Sequence, residues 1–272
     1  MNSSILQDVV VTQNTIISLV MAGVILFVLP IIYVVYWKKK CGEKASFKTL
    51  VIGAAGFLVS ARVLELGVHM GCIVLDNPVS RFINGNTPAY VIYGIMMAGV
   101  FEECGRYVVI KYLMKKNKNR ENMVMYGIGH GGIEVWSITL LSVISYLAIA
   151  LSIKTMGLDE ALKSMGITAD TVDKAAPTIA AVAGFTGVTA FWYVVERIFC
   201  MFVHISLTVV VAFGIAKNQK KYLPLAIFAH AAVDLLPCLY QRQIGTMWMV
   251  EGWLLLGAVL LVIWSRKLYK EM

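Results

Sequence analysis

Charge is what this sequence has least of. Only 15% of its 272 residues are Asp, Glu, Lys or Arg, against 59% hydrophobic, and apolar runs of about 18 or more residues recur along nearly the whole length. That scarcity excludes a soluble domain, and the mean hydropathy of +0.75 agrees. Paired cysteines are absent too. Cys41, Cys72, Cys104, Cys200 and Cys238 are an odd, unspaced set with no C-x-x-C, which gives neither a disulfide framework nor a zinc knuckle, and they read as inert thiols. There is no internal repeat and no low-complexity segment. The first apolar run, 16–37, lacks the basic leader and small-residue cleavage site of a signal peptide and reads as a retained helix.

The charge that is present is mostly basic, for a net +8. A nucleic-acid surface would gather it on one face or interleave it with aromatics, and neither pattern occurs, so no nucleic-acid partner is expected. The basic residues instead fall in short loops that alternate with the apolar runs, as the positive-inside rule requires. Lys38, Lys39, Lys40, Lys44 and Lys48 form one loop, Lys115, Lys116, Lys118 and Arg120 a second, Lys217, Lys220 and Lys221 a third, and Arg266, Lys267 and Lys270 the tail. The other loops hold Arg81, then Lys154, Lys163 and Lys174 diluted by four acids, then Arg242.

This predicts an all-α, polytopic membrane helix bundle of about seven transmembrane helices in the lipid bilayer of the cell membrane. Its spans are near 16–37, 49–75, 89–114, 123–153, 190–216, 223–240 and 247–264. The N-terminus is outside, the C-terminus cytoplasmic, and residues 1–272 form a single integral membrane domain. The segment 177–188 is apolar but rich in Ala and Gly. Were it to span, the last two basic clusters would lie outside, so 154–188 is expected to be an extracellular amphipathic or re-entrant insertion.

Against this apolar background the intramembrane polar residues stand out, because a charge at the bilayer centre costs about 2.5–3.5 kcal/mol on insertion scales. In the second span Arg62, Glu65 and His69 are spaced to share a helical face, and an internal Arg–Glu pair is expected there. The third span carries Glu102, Glu103 and Arg106. Adjacent helical residues diverge by about 100°, so one carboxylate can face a cavity while the arginine holds the other. One Arg needs only one Glu, and the second acid is surplus to neutralisation. The fourth span has His130 and Glu134 one turn apart within a glycine-rich stretch, the fifth has His204, and the sixth has His230 and Asp234, again one turn apart.

Depth joins them. At about 1.5 Å per residue, Glu103, Glu134, His204 and Asp234 all lie roughly 17–20 Å in from the cytoplasmic ends of their spans. Scattered neutralising pairs have no reason to share a level. Three histidines with several carboxylates form a zinc-type set, in which three ligands hold the ion, water takes the fourth position and a free Glu accepts its proton. The pattern points to metal-assisted hydrolysis within the membrane, with Glu102, Glu103 and Arg106 as catalytic candidates and His130, Glu134, His204, His230 and Asp234 as candidate zinc ligands. A proton-coupled transporter is the main alternative, and it would favour an internal repeat. A haem protein would need paired histidines at a spacing these do not have.

In their order on successive helices, Glu102-Glu103-x-x-Arg106, Gly129-His130-Gly131-Gly132-Ile133-Glu134, the 197–204 segment and His230-x-x-x-Asp234 resemble the YhfC family of membrane peptidases. That family is related to the PrsW proteases and more distantly to CAAX prenyl proteases and bacteriocin-processing enzymes. The resemblance covers about 89–236. It implies an intramembrane peptidase acting on a membrane protein or peptide substrate. Glu102 and Glu103 match the di-glutamate that activates and positions water, Arg106 the basic residue after it, and His204 and His230 metal ligands or oxyanion stabilisers. Asp234 stands where CAAX proteases commonly have Asn, and Cys200 stands four residues before His204 where they have Phe. These differences leave open a zinc site or a glutamate and histidine site without bound metal. A peptidase-like scaffold without activity, serving as an immunity or chaperone protein, is a further alternative.

Overall fold

A computed structural model describes residues 9–114 and 118–272; Lys115 and Lys116 of the second basic cluster lie outside them. Most of the described residues are helical, with no strand among them. In chain order the helices are α1 (Gln13–Cys41), α2 (Phe47–Val74), α3 (Pro78–Gly85) and α4 (Thr87–Val108), then α5 (Arg120–Met156), α6 (Leu158–Ser164) and α7 (Val172–Ala183). α8 (Gly187–Ala216), α9 (Tyr222–Gln241) and α10 (Met247–Glu271) complete the chain. Several starts are fixed locally by side-chain caps. Ser46 accepts from the Lys48 amide ahead of α2, Asn77 from Val79 and Ser80 ahead of α3, Asn86 from Ala89 ahead of α4, and Thr246 from Met249 ahead of α10.

Six helices, α1, α2, α5, α8, α9 and α10, are long and apolar enough to cross a membrane, which makes this a polytopic α-helical membrane bundle. α4 continues through a wide turn at Val109–Leu113 and so has the needed length, but Glu102, Glu103 and Arg106 lie inside it. Large apolar side chains such as Val63, Phe228 and Leu260 point outward, as lipid contact requires. α7 is a 12-residue helix, about 18 Å long, against a hydrocarbon core of about 30 Å.

The chain divides into two compact units. One comprises 1–29 and 135–197, and its core is built on Leu19, Val143, Leu162, Ile179, Val182 and Phe185. Within it α7 buries Val172, Ala176, Ile179 and Val182, a spacing that gives one apolar face. Glu196 and Arg197 pair with each other at the end of this unit.

The second unit comprises 30–134 and 198–272. Its centre is the first half of α5, where every residue from Asn122 to Gly132 is buried, together with the buried length of α8 from Val203 to Phe213. Close backbone contact makes this possible. A Cβ on Gly129 would lie 2.0 Å from the Leu50 carbonyl oxygen, and one on Gly53 2.2 Å from that of Tyr126, so α2 and α5 meet through glycine alone. A Cβ on Gly99 of α4 would lie 2.8 Å from the Ile227 carbonyl oxygen of α9. These contacts set the spacing at which side chains of α4, α5, α8 and α9 converge.

One expectation fails in this unit. Arg62 is exposed and makes no ion pair among the described residues, while Glu65 pairs with His69 at 3.2 Å, and His69 Nδ1 lies 2.8 Å from the Tyr93 hydroxyl. The cause is the wide π-helical stretch Leu58–Glu65. It closes on i+5 rather than i+4, and residues three apart no longer share a face.

Candidate functional site

The site is an ion-pair and imidazole cluster built from four helices of the second unit. α4 supplies Glu102, Glu103 and Arg106, α5 supplies His130 and Glu134, α8 supplies Cys200 and His204, and α9 supplies His230 and Asp234. Beneath it, towards the end of α4 and the start of α5, the apolar residues Ile110, Met114, Met123, Tyr126 and Ala212 pack into a plug.

Glu103 and Arg106 are both fully buried. Nη1 of the arginine donates to both carboxylate oxygens, at 2.6 and 2.7 Å, and Nη2 lies 3.1 Å from His204 Nδ1. His230 Nδ1 is 2.9 Å from Glu103 Oε1, where a ring N–H donates to the carboxylate, and its Nε2 is 3.5 Å from Asp234 Oδ2. Glu103 is therefore held from two sides. Glu102, one residue earlier, rotates away from the arginine. Its Oε2 lies 3.0 Å from His130 Nε2 and 3.7 Å from His204 Nδ1. The question that helix rotation left undecided in the sequence has a geometric answer: Arg106 holds Glu103, and Glu102 faces the histidines.

Glu134 reaches the same centre from α5, with Oε2 2.5 Å from His204 Nε2, while the Cys200 thiol donates to Oε1 at 3.3 Å. The three imidazoles lie close together, His130 to His204 tilted at 5.1 Å and His204 to His230 edge-to-face at 5.5 Å, with Phe57 edge-on to His130 at 5.1 Å. All eight residues singled out by sequence thus fall in one cluster. His69 does not join it, being engaged with Glu65 and Tyr93.

Besides Phe57, two residues that the sequence did not mark as site residues also line the cluster. Cys200 stands four residues before His204, the same one-turn spacing that marks His130 with Glu134 and His230 with Asp234, so its position was open to detection. Tyr126, whose ring stacks on His130 at 6.1 Å, gives no such signal.

The charge and donor chemistry suits a cation. Arg106 pairs with Glu103, while Glu102, Glu134 and Asp234 lie against the three imidazoles. Carboxylates set this close to imidazole nitrogens can share protons or a metal ion with them. Two overlapping sets bring ligand atoms within 4.8 Å of one another, Glu102 with His204 and His230, and Glu134 with Cys200 and His204. His130 Nδ1 and Arg106 Nε are buried with no hydrogen-bond partner among the described residues. The residues present fit a divalent ion.

Fold and site together define a polytopic membrane protein with a buried, cation-competent cluster of acids and imidazoles. A family model described as YhfC intramembrane metalloprotease matches residues 25–254, which takes in the whole cluster. The chain belongs to this YhfC family. A relative, the "Uncharacterized membrane protein YhfC" of Bacillus subtilis (strain 168), is 33% identical over 234 residues, 86% of this chain and 88% of its own. No solved structure matches the chain.

Proposed function

We propose that this protein is an intramembrane peptidase that hydrolyses a peptide bond of a membrane-associated protein or peptide. The observation that carries the reading is the division of labour within the double glutamate. Glu103 is bound by Arg106 and His230 and has no oxygen to spare, whereas Glu102 faces the histidines and is surplus to any ion pair with arginine.

In this reading Glu102 is the general base that takes a proton from water, a role contributing about 10²–10⁴-fold in rate. Glu103 and Arg106 are positioning residues. Glu103 fixes the His230 ring through Nδ1 and turns its Nε2 toward Asp234. Arg106 orients His204. His130 holds the Glu102 carboxylate through Nε2 and limits its rotation. A metal ion, zinc in this proposal, would be held through His204, the residue common to both donor sets, and when bound would polarise the scissile carbonyl and acidify a water. His130 and Asp234 lie outside both donor sets and act on their ligands instead, as outer partners of metal ligands commonly do.

The topology belongs to the same proposal. Seven spans, α4 included, put the N-terminus outside, the C-terminus in the cytoplasm and the short helices of 154–188 on the outer face. Single cysteines introduced at Lys163 and Lys220 of a cysteine-reduced chain should react with a membrane-impermeant thiol reagent from opposite sides of the cell membrane.

The hydrolase reading is tested by incubating the purified protein in detergent with a peptide library and reading new termini by mass spectrometry. Cleavage by the wild type that is lost in Glu102→Gln supports it. Equal turnover by both proteins refutes it.

A further inference from the structure

We propose that the groove between α9 and α10 binds one acyl chain of an anionic phospholipid, whose phosphate is held by Lys217 and Lys221. Both helices and both lysines belong to the second unit. The groove has a volume of about 360 Å³, with Ala229, Ala232 and Val233 on one wall and Trp253, Gly257 and Trp264 on the other. Small side chains leave this space open. Ala229 and Ala232 end at Cβ, and Gly257 has none: a Cβ there would lie 3.0 Å from Val233 Cγ2.

The two ends of the groove differ. At one, Trp253 Nε1 donates to the Ala232 carbonyl at 2.8 Å, which engages the only polar group of the indole within the protein. At the other, the Trp264 ring stacks on Tyr222 at 6.4 Å, and Tyr222 meets Phe213 edge-on at 5.0 Å. Lys221 Nζ lies 5.6 Å from the Tyr222 ring centre, and Lys217 Nζ lies 5.8 Å from that of Phe213. Both lysines are exposed, neither makes an ion pair among the described residues, and the segment 217–222 contains no acid. An apolar slot thus ends at two ammonium groups set on an aromatic ledge.

Length and width select the occupant. Trp253 and Trp264 are 11 residues apart, about 16 Å along a helix, against about 15 Å for one leaflet of a hydrocarbon core about 30 Å thick. The groove has the depth of one leaflet, with cations where the phosphates of that leaflet lie. A transmembrane helix is too wide, since a cylinder about 10 Å across and about 16 Å long fills about 1,200 Å³ and would rest on the rim. Lipid tails are as apolar as the groove, so burial alone favours no lipid over another. Charge supplies the preference: a lysine near an anionic bilayer surface is worth about fivefold in binding. Ala229 and Val233 directly precede His230 and Asp234, so the bound tail packs against the helix that carries two residues of the candidate site.

The test reconstitutes the full-length protein into phosphatidylcholine vesicles holding a small fraction of phosphatidylglycerol with a photoreactive diazirine on its acyl chain, and maps the adducts by peptide mass spectrometry. The same fraction of diazirine-bearing phosphatidylcholine is the contrast. Adducts on 229–233 and 253–264 should be about fivefold or more in excess from the anionic lipid. Lys217→Gln combined with Lys221→Gln should erase that excess, whereas Lys39→Gln combined with Lys48→Gln should leave it intact. Ala232→Leu should fill the slot and remove these adducts with helix content by circular dichroism unchanged. Leu260→Trp, on the α10 wall, must agree in case leucine perturbs packing. Equal labelling by the two lipids, an excess that survives loss of both lysines, or labelling that persists in the folded filling variants would each overturn the proposal. Displacement of the adducts by a single-span apolar peptide would give the groove to a peptide, and their loss at high protein-to-lipid ratio would give it to a second copy of the chain; either overturns the lipid site. The readout is labelling and involves no turnover, so it stands apart from the peptidase reading.

Discussion

Two clusters of like composition sit inside the helices of the second unit, and they have opposite fates. Arg62, Glu65 and His69 belong to α2, and Glu102, Glu103 and Arg106 to α4. In the first the arginine is exposed and the acid and histidine settle with each other and Tyr93. In the second the arginine is sealed, its carboxylate partner is bound from two helices, and three histidines from α5, α8 and α9 close around the remaining acid. Spacing along one helix does not separate them, since both have Arg and Glu three residues apart. What separates them is convergence. A buried charge is kept only where several elements contribute partners, and the α4 residues lie where α5, α8 and α9 each supply a histidine.

The comparison breaks most visibly at the arginines. Arg106→Met removes the cation from a fully buried Glu103 and should destabilise the protein by about 3–5 kcal/mol, the usual result of stranding one member of a buried pair. Denaturant unfolding in detergent measures it. An unchanged midpoint would mean that Glu103 is neutral or solvated, and the two clusters would then be alike. Within the second cluster the next effect separates its two acids. Glu102→Gln should lower peptide cleavage by about 10²–10⁴-fold with little change in the unfolding midpoint. Glu103→Gln should lose stability as well, because Arg106 is then left buried without its carboxylate. Equal behaviour of the two variants would refute the assignment of Glu102 as base and Glu103 as support.

The layer that brings these residues together could be read from the chain, because span direction and the one-turn pairs His130 with Glu134 and His230 with Asp234 depend only on counting. Rotation could not be read. Whether Glu102 or Glu103 meets Arg106 is a matter of about 100° about one axis, fixed by Gly99 and Gly105 packing against α9 and α2, and those contacts are tertiary. The π turn at 58–65 was hidden for the same reason. It leaves no mark in a helical repeat, yet it moved Arg62 off the face of Glu65. Cys200 was passed over on residue type, not on position, since its spacing to His204 already matched the other two pairs.

Smaller effects are expected in α2. Glu65→Gln replaces a charge-assisted contact to His69 by a neutral one, and should reduce stability by about 0.5–1.5 kcal/mol while leaving cleavage in place. A loss of cleavage comparable to that of Glu102→Gln would extend the working site along α2 toward the Tyr93 end of the bundle.

The smallest effect belongs to Arg62. Its side chain is exposed in the folded protein and would be exposed to the same surroundings on an isolated α2 in the bilayer, so the two states share whatever its charge costs there. Its long stem also lets the guanidinium reach toward polar surroundings, which lowers that cost in both. The difference between folded and unfolded is then close to zero, and Arg62→Leu should move the unfolding midpoint by no more than about 0.5 kcal/mol, the range of surface substitutions. Turnover should stay within about twofold of the wild type, a change of about 0.4 kcal/mol in barrier. Loss of stability on the scale of Arg106→Met would show that Arg62 has a buried partner in the membrane. Loss of turnover alone would make it a substrate contact, and the contrast between the helices would then be one of role and no longer one of burial.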